Sequence, residues 1–300
     1  MFGFRPDGRK LGKKIDPIVR FTPYIMTRHS DAQVMTTIYA DAKSMSEYIH
    51  KKRDEGYKIS HLSILIAAFL RTVCEFPELN RFVVGKGLYT RNELTVTFVT
   101  IKGHNRNNIE EAELKCFFDP RDTIYVVSEK LNKGIAFLRS QNNSDATVKI
   151  ANALLTVPFF TAFVVDILKL MDRFGILPKA IIDASPFHSS LIITNMASIK
   201  MNSVYHHIYD FGTNSIFLGL GRRTLQMKMD SDGNLTARKV YPIGAVIDER
   251  IMGGAQYGMA LQTMTNFILH PELLENPPET VLDEGVDFSL KEKYKNWNLE

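Results

Sequence analysis

Two adjacent histidines are the side chains of this sequence best suited to acid–base chemistry. His206 and His207 lie in the run Val204 to Tyr209, whose alternation predicts a β-strand. An imidazole titrates at about pH 6.5, so either ring could act as a general base in a substrate channel. The alternative is one exposed ring and one ring hydrogen-bonded in the core. Adjacent strand residues point to opposite faces, so the pair is not expected to share a metal ion. His188 is expected to be a loop or buried structural histidine.

Motifs of several common enzyme classes are missing from the sequence. It contains no Gly-x-Ser-x-Gly elbow, no Walker phosphate loop, no His-Glu-x-x-His pair and no EF-hand loop. Gly219-Leu220-Gly221 leads into another strand, so it predicts a kinked sheet segment and not a dinucleotide site. Cys74 and Cys116 form neither a disulfide framework nor a zinc spacing. We therefore expect no metal and a reducing, cytoplasmic location.

The composition is that of an ordinary globular chain. Of its 300 residues, 45% are hydrophobic and 23% are charged, which excludes a disordered or collagen-like protein. Lys and Arg number 37 against 33 Asp and Glu, for a net charge of +4. The basic residues are scattered, so we expect no nucleic-acid partner, while an anionic small ligand would suit the charge.

One apolar segment raises the question of membrane contact. Residues 150–165 carry no charge, but the segment contains Pro158 and is closed by Asp166. It is shorter than the roughly 18 to 20 apolar residues that a membrane span requires. The N-terminal residues lack the apolar core of a secretory signal. We predict a buried or interface-packed helix without membrane contact, whereas a structure leaving this segment exposed to solvent would favour membrane association.

Strand and helix patterns mix without strict βαβ alternation. This predicts one α+β domain over residues 1–300, with a mixed or antiparallel sheet, helices mainly on one side, a short N-terminal arm and a polar tail over about 276–300.

Ser60 to Phe76 is the clearest helix, because Ser60 is a suitable N-cap, the segment is apolar on nearly every face and Pro77 ends it. Ser231-Asp232-Gly233-Asn234 predicts a hairpin turn. Other predicted helices lie within 15–30, over 42–55 and 122–139, in two apolar segments ending near Gly175 and Pro178, and over 255–269. Predicted strands cover 33–41, 81–84, 94–101, 112–118, 191–194, 204–209, 215–221, 224–229 and 235–241. The predicted core includes Leu65, Ile66, Phe69, Leu70, Val96, Phe98, Ile192, Ile216 and Leu218.

Four segments occur in an order that is typical of one known family. They are the buried helix ending in Phe76 to Asn80 (FPELN), the strand end Ile193 to Ser198 (ITNMAS), the strand Ser215 to Gly221, and Ile243 to Gly254 (IGAVIDERIMGG), which leads into a helix ending at Pro271. The segments resemble the catalytic domain of the dihydrolipoyl acyltransferases of 2-oxoacid dehydrogenase complexes. The resemblance covers most of residues 15–275 and implies a chloramphenicol acetyltransferase-like fold.

The resemblance also implies a catalytic arrangement. In the family, a loop histidine takes the thiol proton of coenzyme A or dihydrolipoamide, and a Ser or Thr hydroxyl from the next subunit stabilises the oxyanion. Thr194, followed by Asn195, occupies the hydroxyl position here. Glu249 stands where the family has histidine, and Gly253 where it has a later Asp. Asp248 and Arg250 match flanking residues that hold the loop, and Arg28 is the candidate for an N-terminal arginine pairing with it.

Each of these positions has an ordinary structural alternative. Glu249 serves as a base only if burial raises its pKa from about 4.3 toward about 6 to 7. Otherwise it forms a structural ion pair with Arg250 or with an arginine of a neighbouring chain. Thr194 could simply bond to its own backbone at the strand end. If an imidazole supplies the base instead, His206 or His207 would face the channel.

The resemblance implies a homotrimer that binds coenzyme A or acyl-coenzyme A as substrate and transfers an acyl group to a small-molecule acceptor. Activity would be weak or altered, because the motif histidine and aspartate are replaced. The alternative is a non-catalytic relative with the same fold that acts as a binding or scaffold protein.

Overall fold

The computed structural model describes residues 4–101, 111–140, 158–229 and 231–288. The helices are α1 (Pro17–Ile25), α2 (Ala42–Asp54), α3 (His61–Glu75), α4 (Ile124–Ser140), α5 (Pro158–Phe174), α6 (Lys179–Ala184) and α7 (Gly254–Leu269). The strands are β1 (Phe4–Arg5), β2 (Gly8–Lys10), β3 (Gln33–Asp41), β4 (Arg81–Val84), β5 (Gly87–Arg91), β6 (Leu94–Ile101), β7 (Glu111–Phe118), β8 (Leu191–Asn195), β9 (Ile216–Leu220), β10 (Thr224–Met229) and β11 (Leu235–Asp248). Short 3-10 turns follow α3, β8, β11 and α7.

The main sheet is mixed and has seven strands. Its order is β10-β11-β9-β8-β6-β7, and β3 pairs with β11. The pairs β6–β8 and β8–β9 are parallel, and the other pairs of this sheet are antiparallel. A smaller sheet of four strands has the order β1-β2-β5-β4. The predicted α+β class, with a mixed sheet and flanking helices, is confirmed.

Helix α3 forms the centre of the core against one face of the main sheet. Ser60 and Ser63 form a capping box at its start, and Pro77 follows its end. Every residue from Leu62 to Cys74 is buried, with α4 and α7 packed beside the helix. A helix that is apolar all round requires such complete burial. All nine predicted core residues are buried: Leu65, Ile66, Phe69, Leu70, Val96, Phe98, Ile192, Ile216 and Leu218.

The other face of the main sheet is covered by irregular chain, which corrects one predicted strand. Residues 204–209 form no strand, because both edges of β9 are already taken by β8 and β11. The segment crosses the sheet instead. A Cβ at Gly219 would lie 2.8 Å from the carbonyl oxygen of Val204, and one at Gly244 would lie 2.3 Å from it. These two glycines therefore make room for the crossing segment.

The other predicted helices and strands that lie in the described residues agree with the structure to within a few residues, with three kinds of exception. No helix ends near Pro178, the predicted strand 235–241 continues to Asp248, and α6, β1, β2 and β5 were not predicted. The sequence of β5, GLYTR, is short and begins with glycine, which indicates a turn more strongly than a strand. Pairing with β2 on one side and β4 on the other buries all five residues. The hairpin with the Asp-Gly turn is present as β10 and β11, with Gly233 at φ +84°.

Helix α5 is anchored near its C-terminal end by a buried ionic cluster. Asp172 accepts a hydrogen bond of 2.5 Å from Arg5, which also pairs with Asp7 at 2.8 Å. His188 Nε2 lies 3.4 Å from Asp172 Oδ1. Burial raises the pKa of Asp172, but His188 and Arg5 lower it more, so its net pKa lies below the ordinary value. His188 is thus a buried structural histidine, as predicted.

The apolar segment over 150–165 is not buried within the chain where it can be described. Residues 150–157 lie outside the described residues. Phe159 is 88% exposed and Phe163 is 58% exposed, because only the opposite side of α5 packs onto the protein. The expectation of burial within the chain is therefore wrong for residues 159–165. Among the described residues, no helix combines the length and apolar character needed to cross a bilayer.

Candidate active site

The loop that follows β11 is locked by a buried ion pair. Asp248 is fully buried, and Arg250 is 2% exposed. Asp248 Oδ1 accepts hydrogen bonds from the backbone N–H of Arg250 at 3.0 Å and from its Nε at 2.8 Å. Asp248 Oδ2 accepts a bond of 2.5 Å from a terminal nitrogen of the same guanidinium. This predicted role of Asp248 and Arg250 in holding the loop agrees with the geometry.

A histidine from the N-terminal segment completes the buried cluster. His29 Nδ1 lies 2.9 Å from Asp248 Oδ2 and 3.1 Å from Arg250. Burial raises the pKa of Asp248, but Arg250 and His29 lower it more, so the pKa lies below its ordinary value and the carboxylate is charged. Arg28 does not pair with the loop as expected. Its side chain is exposed, and the adjacent His29 makes the contact because it is the residue turned inward.

Glu249 projects from this locked loop into solvent. Its backbone N–H donates to the carbonyl of Ala32 at 2.9 Å, while its side chain is exposed. The expected pairing with Arg250 within the chain is not formed, because Asp248, His29 and the carbonyl of Met26 take up that guanidinium. None of the ion pairs within the described residues includes Glu249. The loop therefore fixes the backbone of Glu249, and its carboxylate points outward.

Thr194 and Asn195 lie at the C-terminal end of β8, half-buried. Asn195 Oδ1 accepts a bond of 3.3 Å from the backbone N–H of Ser198 and so caps the following turn. Thr194 Oγ1 donates to the sulfur of Met196 at 3.6 Å and does not bond to its own backbone. Sulfur is a weak acceptor, so the Thr194 hydroxyl can donate to a stronger one.

The structure does not bring Thr194 and Glu249 together within one chain. Thr194 pairs with Gly219 in the sheet, and Gly219 pairs with Gly244. Glu249 follows Gly244 by five residues, which corresponds to roughly 17 Å along the strand direction. The two side chains therefore lie near opposite ends of the sheet, and a single copy does not place them within hydrogen-bonding distance.

His206 and His207 also differ from their predicted arrangement. Because their segment is not a strand, the two rings do not point to opposite faces but stack on each other, with centroids 4.6 Å apart. His206 further stacks on Phe217 at 4.3 Å, and its Nδ1 lies 2.8 Å from the carbonyl oxygen of His207. His206 is half-buried, and His207 is exposed. The pair forms part of the cover over the second face of the sheet.

A basic cleft lies beside the end of β8. We call it the β8-end cleft; its volume is about 610 Å³. His61 in this cleft has its pKa lowered by burial and by Arg223, and its Nε2 has no hydrogen-bond partner among the described residues. Sequence reasoning missed this residue, although its place after the N-cap of α3 was visible. The cleft is lined by Ser60, His61, Leu62, Asn195, Ala197, Ser198, Lys200, Leu220, Arg222, Arg223 and Tyr241.

The cleft offers donors for an anionic ligand and no donor set for a metal. Lys200, Arg222 and Arg223 supply positive charge, and the N-terminus of α3 begins at its wall. Phosphate groups bind well to such combinations. Over the described residues, no group of three or more His, Cys, Asp or Glu side chains is arranged to hold a metal ion.

Comparisons with known proteins identify the fold. No protein-family model and no curated protein matches the sequence. A probable dihydrolipoamide acetyltransferase from Listeria monocytogenes 4b F2365 is 15% identical with a TM-score of 0.51, covering 85% of this chain and 92% of that chain. A truncated catalytic core of the 2-oxoacid dehydrogenase multienzyme complex from Thermoplasma acidophilum is 13% identical with a TM-score of 0.52, covering 87% of this chain and 99% of that chain. A chloramphenicol acetyltransferase is 10% identical, with the same TM-score of 0.52 and the same coverages. The chain therefore has the chloramphenicol acetyltransferase-like fold, which it shares with the catalytic domains of 2-oxoacid dehydrogenase acyltransferases.

Proposed function

We propose that this protein is a coenzyme A-dependent acyltransferase whose active site is shared between neighbouring chains of a homotrimer. The observation that carries the proposal is the separation of Thr194 from Glu249 within one chain, on a fold shared with acyltransferases. A cyclic trimer brings the β8 end of one chain to the loop after β11 of the next. Each of three equivalent sites then combines residues that one chain keeps apart.

The chemical roles follow from the groups available. The Glu249 carboxylate accepts the proton of the attacking thiol or hydroxyl as that atom bonds to the acyl carbon. The Thr194 hydroxyl of the next chain donates a hydrogen bond to the oxyanion that forms. When the tetrahedral intermediate collapses, Glu249 returns the proton to the leaving group. Closure by the neighbouring chain withdraws the carboxylate from water, as an effective carboxylate base requires.

The surrounding residues position this machinery. Asp248, His29 and Arg250 fix the loop, so the backbone that carries Glu249 does not have to be ordered at each turnover. The β8-end cleft offers Lys200, Arg222 and Arg223 to the phosphates of coenzyme A. The acyl acceptor is a small molecule that approaches Glu249 from the opposite side of the shared site.

A thiol-release assay with a panel of acyl-coenzyme A donors and small acceptors tests the proposal. Glu249→Gln keeps the shape of the side chain and removes the base, so we expect the rate to fall by about 10²- to 10⁴-fold. His206→Gln and His207→Gln are matched controls and should leave most of the rate intact. A loss in either histidine variant that equals the loss in Glu249→Gln would move the base to that histidine and overturn the assignment.

A second candidate function is coenzyme A binding without transfer, as a scaffold or binding protein. It is favoured by the absence of an imidazole at position 249, where an exposed carboxylate stands instead. In that case, calorimetry would detect coenzyme A binding that depends on Arg222 and Arg223. The assay would find no thiol release above the uncatalysed rate with any donor.

A further inference from the structure

Helix α5 presents its apolar side to solvent, the reverse of an ordinary surface helix. Five apolar residues at intervals of three and four form one stripe along the helix. They are Phe159, Phe163, Ile167, Leu170 and Phe174. All five are exposed. The side of the helix that packs onto the protein holds the buried Asp172 instead. Such a stripe needs a partner outside the chain.

Helix α1 repeats this arrangement nearby. Ile18, Phe21 and Ile25 lie on one face of α1 at spacings of three and four residues, and all are exposed, as is Tyr24. The ring of Tyr24 contacts the ammonium group of Lys86, 5.2 Å from the ring centroid. Lys86 belongs to the turn between β4 and β5, and it lines a cleft together with residues of α5 and with the segment that follows α1.

This cleft, which we call the α5 cleft, has a volume of about 440 Å³ and an excess of positive charge. Arg28, Lys86, Lys169 and Arg173 line it. Within the part of the chain that the structure describes, no ion pair joins Arg28, Lys86 or Arg173 to a carboxylate, and Lys169 lies 3.8 Å from the exposed Asp166.

The carboxylates of the α5 cleft are already engaged. Asp172 is bound by Arg5, and Asp210 accepts the backbone N–H of His29 at 3.1 Å. A backbone N–H leaves the charge of Asp210 in place, but the four basic side chains of the cleft outnumber this carboxylate. The cleft can therefore meet negative charge from another molecule.

We propose that α1, α5 and the α5 cleft form a surface that binds membranes containing anionic phospholipid. Exposed phenylalanine and isoleucine side chains beside lysine and arginine are the combination that holds helices at the boundary between headgroups and acyl chains. A lipid phosphate placed in the cleft meets Arg28, Lys86 and Arg173. A second copy related by a two-fold axis is the less suitable occupant, because such a pair would bring these cations together. The surface adjoins the candidate active site, because His29 and Arg250, which hold the Glu249 loop, also line the α5 cleft.

Sedimentation with lipid vesicles tests the proposal on the full chain. We expect the protein to bind phosphatidylcholine vesicles containing about 30% phosphatidylglycerol, and to bind pure phosphatidylcholine at least about tenfold more weakly. High salt should weaken binding to the anionic vesicles. The double variants Phe159→Ser/Phe163→Ser and Lys169→Glu/Arg173→Glu should each reduce binding at least about tenfold.

The matched control replaces exposed apolar side chains elsewhere. Leu225→Ser/Met227→Ser changes two exposed residues of β10 and should bind vesicles as the unmodified protein does. As a second measurement, Phe159→Trp should shift its emission to shorter wavelength when anionic vesicles are added. The proposal is overturned if the unmodified protein stays in the supernatant, or if the control loses as much binding as Phe159→Ser/Phe163→Ser. It is also overturned if that stripe variant changes the oligomeric mass while vesicle binding is unaffected, because a second copy then covers α5.

Discussion

Replacing Asp248 by Asn tests the buried cluster on which the candidate active site depends. The change keeps the shape of the side chain and removes the charge that Arg250 and His29 share. Arg250, at 2% exposure, would remain buried without its ionic partner. Removing one member of a buried pair costs about 3 to 5 kcal/mol, since the remaining charge is left uncompensated. We expect a loss near the lower figure, because the Asn oxygen can still accept one hydrogen bond.

The assay is chemical denaturation at pH 7 and at fixed protein concentration, with an exposed pair as the matched control. Lys43 and Glu47 lie 3.8 Å apart and are both largely exposed. Glu47→Gln should change the free energy of unfolding by less than about 0.5 kcal/mol. A loss below about 1 kcal/mol in Asp248→Asn would refute the reasoning, because the buried pair would then not hold the loop.

The pH dependence gives the same prediction an independent check. The pKa of Asp248 is lower in the folded chain than in the unfolded chain, where it is about 3.9. As the pH falls, the unfolded chain therefore takes up a proton at this residue before the folded chain does. The stabilisation by Asp248 is therefore complete above that pH and is lost as the pH falls through the folded pKa. The stability difference between the unmodified protein and Asp248→Asn should narrow in acid. A difference that is the same at neutral and acid pH would contradict this assignment.

Three further predictions concern burial, close packing and assembly. Burial lowers the pKa of Lys115 to about 7, so from there to about pH 10 the unfolded chain holds a proton that the folded chain lacks. The free energy of unfolding should rise by about 1.4 kcal/mol per pH unit over that range, and Lys115→Met should abolish the rise. Urea titrations that give the same dependence of this free energy on pH in both proteins would disprove the prediction. Gly244→Ala places a methyl group 2.3 Å from the backbone of Val204 and should lower the free energy of unfolding by about 1 to 3 kcal/mol. A methyl group at Gly258 meets nothing within 4 Å, so Gly258→Ala should stabilise α7 by up to about 1 kcal/mol. Light scattering should give three times the chain mass of 34.1 kDa, and a stable monomer at micromolar concentration would exclude the shared site.

Elements whose signals are local could be predicted from the sequence. Helix α3 combines an N-cap at Ser60, an uninterrupted apolar run and a terminating Pro77, and the structure has all three features. The hairpin of β10 and β11 was predicted because an Asp-Gly turn requires the backbone conformation that Gly233 adopts. In both cases, the decisive interactions lie within a few residues of each other.

Features decided by distant parts of the chain could not be predicted in this way. The run from Val204 to Tyr209 has the composition of a strand, but whether a sheet edge is free for it depends on β8 and β11. His29 contacts Arg250 across 221 positions, and nothing around it in the sequence distinguishes it from Arg28. The exposure of the apolar side of α5 could not be predicted either. The spacing of apolar residues predicts an amphipathic helix, but it does not determine whether the apolar side faces the core.

Subunit complementation tests the central claim, a site shared between chains, most directly. We expect Thr194→Ala and Glu249→Gln to be inactive when each is assayed alone. In the experiment, equal amounts of the two variants are mixed and allowed to form trimers. In every mixed trimer, one of the three sites has both side chains intact. Three quarters of randomly assembled trimers are mixed. The mixture should therefore recover about a quarter of the acyl-transfer rate of the unmodified protein. A mixture no more active than its parents, although mixed trimers form, would contradict a shared site, as would full activity in either variant alone.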